Sequence, residues 1–88
     1  LPNKESRLEI LKIHCKDMGL NEDVDLGNIS SLMEDMSGAE INAVCTEAGY
    51  FAIRENRTKI TRKDFLNGID KVKKEEEIEG EDYIRMFG

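Results

Sequence analysis

The sequence predicts an all-α domain: a small four-helix bundle followed by an acidic, flexible C-terminal tail. Three observations carry this. Apolar residues recur at helical spacing in four separate stretches. The one proline stands at position 2, so from residue 3 onward no residue lacks the N–H that a helix needs. Strand signals are nearly absent, with no sustained alternation, no Asn-Gly hairpin and few consecutive β-branched residues. A chain of 88 residues makes one domain, burying roughly 60–70% of its unfolded surface in a modest core.

The first helix is expected over Lys4–Met18. Leu8, Leu11, Cys15 and Met18 form its apolar stripe, and Ile10 and His14, four apart, share a second face. Pro2 suits the lead-in, and Gly19 the C′ position that ends a helix. Asn21–Val24 is a polar link. Asp25 then caps a short second helix running to about Asp35, with Leu26, Ile29, Leu32 and Met33 as its apolar set. The third helix has its start written in. Ser37 and Glu40 make a capping box, and Ile41, Val44, Cys45, Ala48, Phe51 and Ala52 follow on one face until about Asn56. Small residues (Gly38, Ala39, Ala43, Gly49) let a backbone or a flat ligand approach it closely. Arg57–Ile60 connects, with Ile60 either pairing as a short extended segment or plugging the core. Thr61 caps a fourth helix, with Asp64 three later in a second box, and Phe65, Leu66, Ile69 and Val72 form its buried face. The pattern fails after Lys74. The expected division is therefore a helical body over 1–74 and a tether with a terminal hexapeptide over 75–88.

Charge follows the same division. The net charge is −6; residues 1–74 carry −1 of it and residues 75–88 carry −5. The self-repelling run Glu75-Glu76-Glu77-Ile78-Glu79-Gly80-Glu81-Asp82 buries no stripe and reads as mobile. The hexapeptide after it, Tyr83–Gly88, is apolar enough either to fold back or to be presented to a partner. No clustered basic surface favours nucleic acid, and no stretch is long and apolar enough for a membrane. Cys15 and Cys45 lie thirty residues apart on apolar faces and read as reduced, buried thiols, which fits a reducing, intracellular compartment. The chain opens at Leu1 without Met and reads as a piece of something longer.

Catalytic signatures are missing. There is no phosphate loop, nucleophile elbow or HExxH, and no metal-ligand spacing. Acidic pairs such as Glu22-Asp23 and Glu34-Asp35 suit a solvated face. One functional possibility is the junction of His14 with Ser37-Gly38-Ala39, where a helix N-terminus offers N–H groups and Gly-Ala leaves room for a flat ring or ribose. Spacing alone favours a half-buried histidine beside an ordinary capped helix. The second possibility is the C-terminal hexapeptide, as a docking segment or a sticky end.

Several runs, in order, resemble the small helical lid subdomain of AAA ATPases: Arg7-Leu8-Glu9-Ile10-Leu11-Lys12-Ile13-His14, then Glu22-Asp23-Val24-Asp25-Leu26, SGAE at 37–40, Ala43–Gly49 followed by Ala52-Ile53-Arg54, and Thr61, Asp64 and Phe65. Within that family, CTEAG with AIRE is most similar to the proteasomal regulatory ATPases. The resemblance implies a hexameric ring that hydrolyses ATP, unfolds substrates and threads them into a proteolytic chamber. It implies ATP or ADP with Mg, bound mainly by a large α/β subdomain outside this chain, and little nucleotide affinity or enzyme activity in the chain itself. By resemblance, Ile10 and His14 take the positions that contact adenine and ribose, and Gly38 and Ala39 the pair that closes over adenine. Gly38-Ala39 also stands where wider relatives place a phosphate-sensing arginine. Met86-Phe87-Gly88 resembles a hydrophobic–aromatic–any ending that docks on the proteasome core and opens its gate, with Phe in place of Tyr. The partners so implied are the large subdomain, neighbouring ring subunits, the proteasome core particle and an assembly chaperone. The compartment implied is the cytoplasm, or the nucleus in a eukaryote. Two other readings stand beside this one: the lid of another AAA unfoldase with a non-docking tail, and a free-standing helical adaptor.

Overall fold

The computed structural model describes residues 1–87, with side chains described through Glu76. Four helices form: α1 (Lys4–Cys15), α2 (Leu26–Ser31), α3 (Gly38–Arg54) and α4 (Arg62–Phe87). The expected all-α bundle is present. α3 is its centre, packed on α4 and on α1, while α1 packs on α2. The shared core contains Leu11, Cys15, Ile29, Met33, Met36, Ile41, Val44, Cys45, Ala48, Phe65, Ile69 and Val72.

Local chemistry sets each helix start. Asn3 caps α1 by accepting from the Ser6 N–H at 2.8 Å, a cap the sequence reading passed over in favour of Pro2. Asp25 caps α2, accepting from the N–H groups of Gly27 and Asn28. The Ser37–Glu40 box is closed in both directions: the Glu40 N–H donates to Ser37 Oγ at 3.2 Å and the Ser37 N–H to Glu40 Oε1 at 3.1 Å. The hydrogen bond from the Ser37 N–H holds the Glu40 carboxyl below its usual range. The second box is closed likewise. The Thr61 N–H donates to Asp64 Oδ2 at 2.9 Å and the Asp64 N–H to Thr61 Oγ1 at 3.3 Å.

Helix ends departed further from expectation. α1 stops at Cys15, not Met18, and Gly19 has no positive φ, so it is not a left-handed cap. Gly19 is needed for a different reason. A Cβ there would lie 3.0 Å from the Thr58 carbonyl, where the 19–21 and 58–60 segments run side by side. Asn21 N–H donates to Ile60 O and Ile60 N–H to Gly19 O, both at 2.8 Å, and Leu20 and Ile60 form a parallel bridge. Ile60 is also buried, so it both pairs and plugs the core. α2 gives way at Ser31 to tighter i→i+3 turns (Leu32 to Ile29, Met33 to Ser30, Met36 to Met33) rather than continuing to Asp35. α3 ends at Arg54 in a Schellman motif. Asn56 takes φ 57°, its N–H bonds to Ile53 O, and the Arg57 N–H bonds to Ala52 O.

Two further expectations were corrected. Leu66, assigned to the buried face of α4, is 36% exposed; Phe65, Gly68, Ile69 and Val72 take the face against α3 instead. The helical pattern was expected to fail after Lys74, yet α4 runs on to Phe87. Lys and Glu are good helix formers, and Lys74 pairs with Asp70 one turn back at 2.9 Å.

Candidate functional site

A shallow groove of about 250 Å³ runs between α1 and the first turns of α3. Ile10, Ile13 and His14 line it from α1, and Gly38 and Asn42 from α3. Helical spacing explains both sets: 10, 13 and 14 share one face, as do 38 and 42. The floor can be shallow because Gly38 lacks a Cβ; one built there would meet Ile10 Cδ1 at 3.7 Å, an ordinary contact that would narrow the groove.

Of the residues singled out from sequence, Ile10, His14 and Gly38 are brought together here. Ala39 is exposed, follows Gly38 on the first turn of α3 and is not among the residues lining the groove. Met86, Phe87 and Gly88, the candidate docking residues, lie outside the described side chains. Sequence reasoning missed Ile13 and Asn42. Ile13 is 69% exposed, and its signal was adjacency to His14 on the same helix face. Asn42 stands one turn after Gly38; its side-chain oxygen is buried without a hydrogen-bond partner.

The groove offers apolar walls from Ile10 and Ile13, an exposed imidazole, and a helix N-terminus. First-turn N–H groups have no intrahelical partner, and the Ser37 hydroxyl takes up that of Glu40. At about 250 Å³ it falls short of the roughly 300–1,000 Å³ of pockets that enclose a small molecule, and its shape is that of one wall of a site. Two other clefts are slightly larger. One, about 330 Å³, is lined by Asp35, Met36, Glu40, Lys73 and Glu76, and its three carboxylates disfavour an anionic ligand. The other, about 320 Å³, lies at the opposite ends of α1 and α3 beside Met18, Ile53 and Arg57. Among the described residues no cluster of three or more His, Cys, Asp or Glu is placed to hold a metal ion. No helix among them is long and apolar enough to cross a membrane.

Comparison with known proteins gives this geometry a family. Residues 23–67, just over half of the chain, match the AAA+ lid domain. The chain is 48% identical over 87 residues to the proteasome-activating nucleotidase of Methanopyrus kandleri, covering 99% of this chain and 20% of that protein. It is 57% identical over 72 residues to the proteasome-activating nucleotidase of Pyrococcus furiosus, covering 82% and 18%. It is 51% identical over 75 residues to the 26S proteasome regulatory subunit 8 homolog B of Arabidopsis thaliana, covering 85% and 18%. The chain thus spans about a fifth of the length of the curated relatives it matches. Its four helices, the order of its caps and these matches agree: the chain belongs to the AAA+ lid domain family, and its relatives are proteasomal regulatory ATPases.

Proposed function

We propose that this chain is the lid of a proteasome-activating AAA ATPase and forms one wall of the nucleotide site. The observation that carries the reading is the meeting of Ile10, His14 and Gly38 in one groove, from helices far apart in sequence. Ile10 supplies an apolar face for the base. His14 hydrogen-bonds toward the ribose. Gly38 and Ala39, at the start of α3, let the base lie close to backbone N–H groups. The chain holds no phosphate loop, so the phosphates and Mg belong to the large subdomain. Hydrolysis is an activity of the whole protein, to which the lid contributes affinity and leverage.

The leverage follows from α3. It is capped at both ends and packed on α1 and on α4, so force applied at the groove is passed to α4 through a rigid rod. In a hexameric ring of a cytoplasmic or nuclear proteasome system, the lid's angle to its large subdomain would report the bound nucleotide to the neighbouring subunit. The C-terminal residues Met86, Phe87 and Gly88 dock on the proteasome core in this reading, and an assembly chaperone finds the lid surface before the ring closes.

The test is His14→Ala in the full-length ring. Loss of a contact made equally in the ground and transition states raises the KM for ATP more than it lowers kcat. An unchanged KM removes His14 from the site.

A further inference from the structure

We propose that Asn42 selects the base: its side-chain amide recognises the edge of adenine that carries N7 and the 6-amino group. The inference rests on the groove being part of the nucleotide site, and it adds the residue that tells one purine from another. Asn42 lines the groove from α3, together with Gly38 one turn earlier and with Ile10, Ile13 and His14 of α1. Its side-chain oxygen is buried and has no hydrogen-bond partner; among the described residues it is the one buried side-chain oxygen or nitrogen left so.

Fold stability does not account for this residue. Asn is a weak helix former, and a buried polar atom left unpaired costs stability. The Thr46 hydroxyl, one turn on, donates to the Asn42 backbone carbonyl at 3.1 Å and not to its amide. The groove supplies the missing partner. A flat ring lying on Gly38 and Ile10 has its edge one helical turn further on, about 6 Å along α3, which is where Asn42 stands.

An Asn amide is bidentate toward that edge of adenine. Nδ2–H donates to N7, and the 6-amino N–H donates to Oδ1. Rotation about the Cβ–Cγ bond brings the buried oxygen to the groove, and it breaks no hydrogen bond of that oxygen because none is made. Guanine presents two acceptors, N7 and O6, on the same edge. Whichever way the amide turns, one of them faces Oδ1 with no proton between.

The experiment measures equilibrium binding to the full-length ring. ADP, GDP and 7-deaza-ADP displace fluorescent N-methylanthraniloyl-ADP from wild type, Asn42→Leu and His14→Ala. Leu keeps the side-chain volume and favours the helix. Wild type is expected to bind ADP about three- to tenfold more tightly than 7-deaza-ADP, which lacks one acceptor, and to reject GDP by a wider margin. In Asn42→Leu the ADP and 7-deaza-ADP affinities converge, because the donor to N7 is gone, and the preference over GDP narrows. Wild type binding ADP and 7-deaza-ADP equally, or a difference that persists undiminished in Asn42→Leu, would overturn the proposal. His14→Ala separates that failure from failure of the nucleotide reading. If it weakens ADP binding while wild type treats ADP and 7-deaza-ADP alike, the lid contacts nucleotide and Asn42 does not select the base. If neither His14→Ala nor Asn42→Leu alters any affinity, the groove is not the nucleotide site and both readings fall. The wild-type comparison needs no variant to fold.

Discussion

Asp64 is buried to 2% exposure and its carboxylate is held by three donors. Arg57 reaches it with both guanidinium nitrogens, at 2.7 and 2.8 Å, and the Thr61 N–H completes the box. The guanidinium, followed by the Thr61 bonds, holds its carboxyl below the usual range. A lowered native pKa means the carboxylate's contribution is complete above the unfolded value of about 3.9 and is lost as pH falls through the native one. Asp64→Ala is expected to cost about 2–4 kcal/mol at pH 7, because it removes two charge-assisted bonds from Arg57 together with the cap at Thr61. Urea midpoints of wild type and Asp64→Asn are expected to converge as pH falls from 5 towards 2. A gap that persists at pH 2 would mean the carboxylate's charge is not what stabilises the junction. The Thr61–Asp64 box was visible in the sequence, since both partners lie within one turn. Arg57 was not, because the chain must reverse at Asn56 before it can reach Asp64. Arg7 was hidden for the same reason: it is 7% exposed, and its Nε donates to Ser30 O at 3.2 Å, a partner 23 residues away.

At the scale of elements, α3 dictates the rest. Its start is the best-signalled feature of the chain, and the Ser37 box is expected to be worth about 1 kcal/mol, so Ser37→Ala should lower the stability of the domain by that amount in a urea titration. No measurable change would show that packing alone fixes the N-terminus. How closely α4 crosses α3 is set at Gly68, where a Cβ would lie 3.0 Å from the Val44 carbonyl. Helix propensity alone would make Gly68→Ala stabilising by about 1 kcal/mol. Overpacking against a backbone atom reverses the sign, and a net loss of about 1–2 kcal/mol is expected. A rise in thermal midpoint would mean that the helices separate freely. These two residues mark the boundary of what the sequence makes legible. Caps and apolar faces are local, and so α1 to α4 and most core positions could be read. Close approaches are not local: Gly19 looked like a helix terminator but serves the 58–60 segment, and Leu66 looked buried because the crossing over Gly68 could not be seen. The groove was half legible for a related reason. His14 and Gly38 were signalled by the small residues at the start of a capped helix and Ile10 by motif resemblance, whereas Ile13 and Asn42 join them only because α1 lies along α3.

At the scale of the whole molecule, charge and length separate two tasks. The body carries −1 and residues 75–88 carry −5, while α4 continues from the packed body to Phe87 as a single 26-residue helix. In the proposed function the tail is the proteasome-facing end, and its recognition can be isolated from the ring. A peptide of residues 81–88 is expected to bind the proteasome core particle, and Phe87→Ala to weaken it by at least about tenfold, since the aromatic ring is the largest apolar group in the last three residues. Phe87→Tyr should tighten it, because one added hydrogen bond contributes about 0.5–1.5 kcal/mol, or roughly two- to tenfold. Surface plasmon resonance on immobilised core particle measures all three. Equal binding of the wild-type and Phe87→Ala peptides, or none by either, would leave the lid's nucleotide role standing and end the docking one. That result would shift the reading to an AAA unfoldase whose last residues do not engage the core.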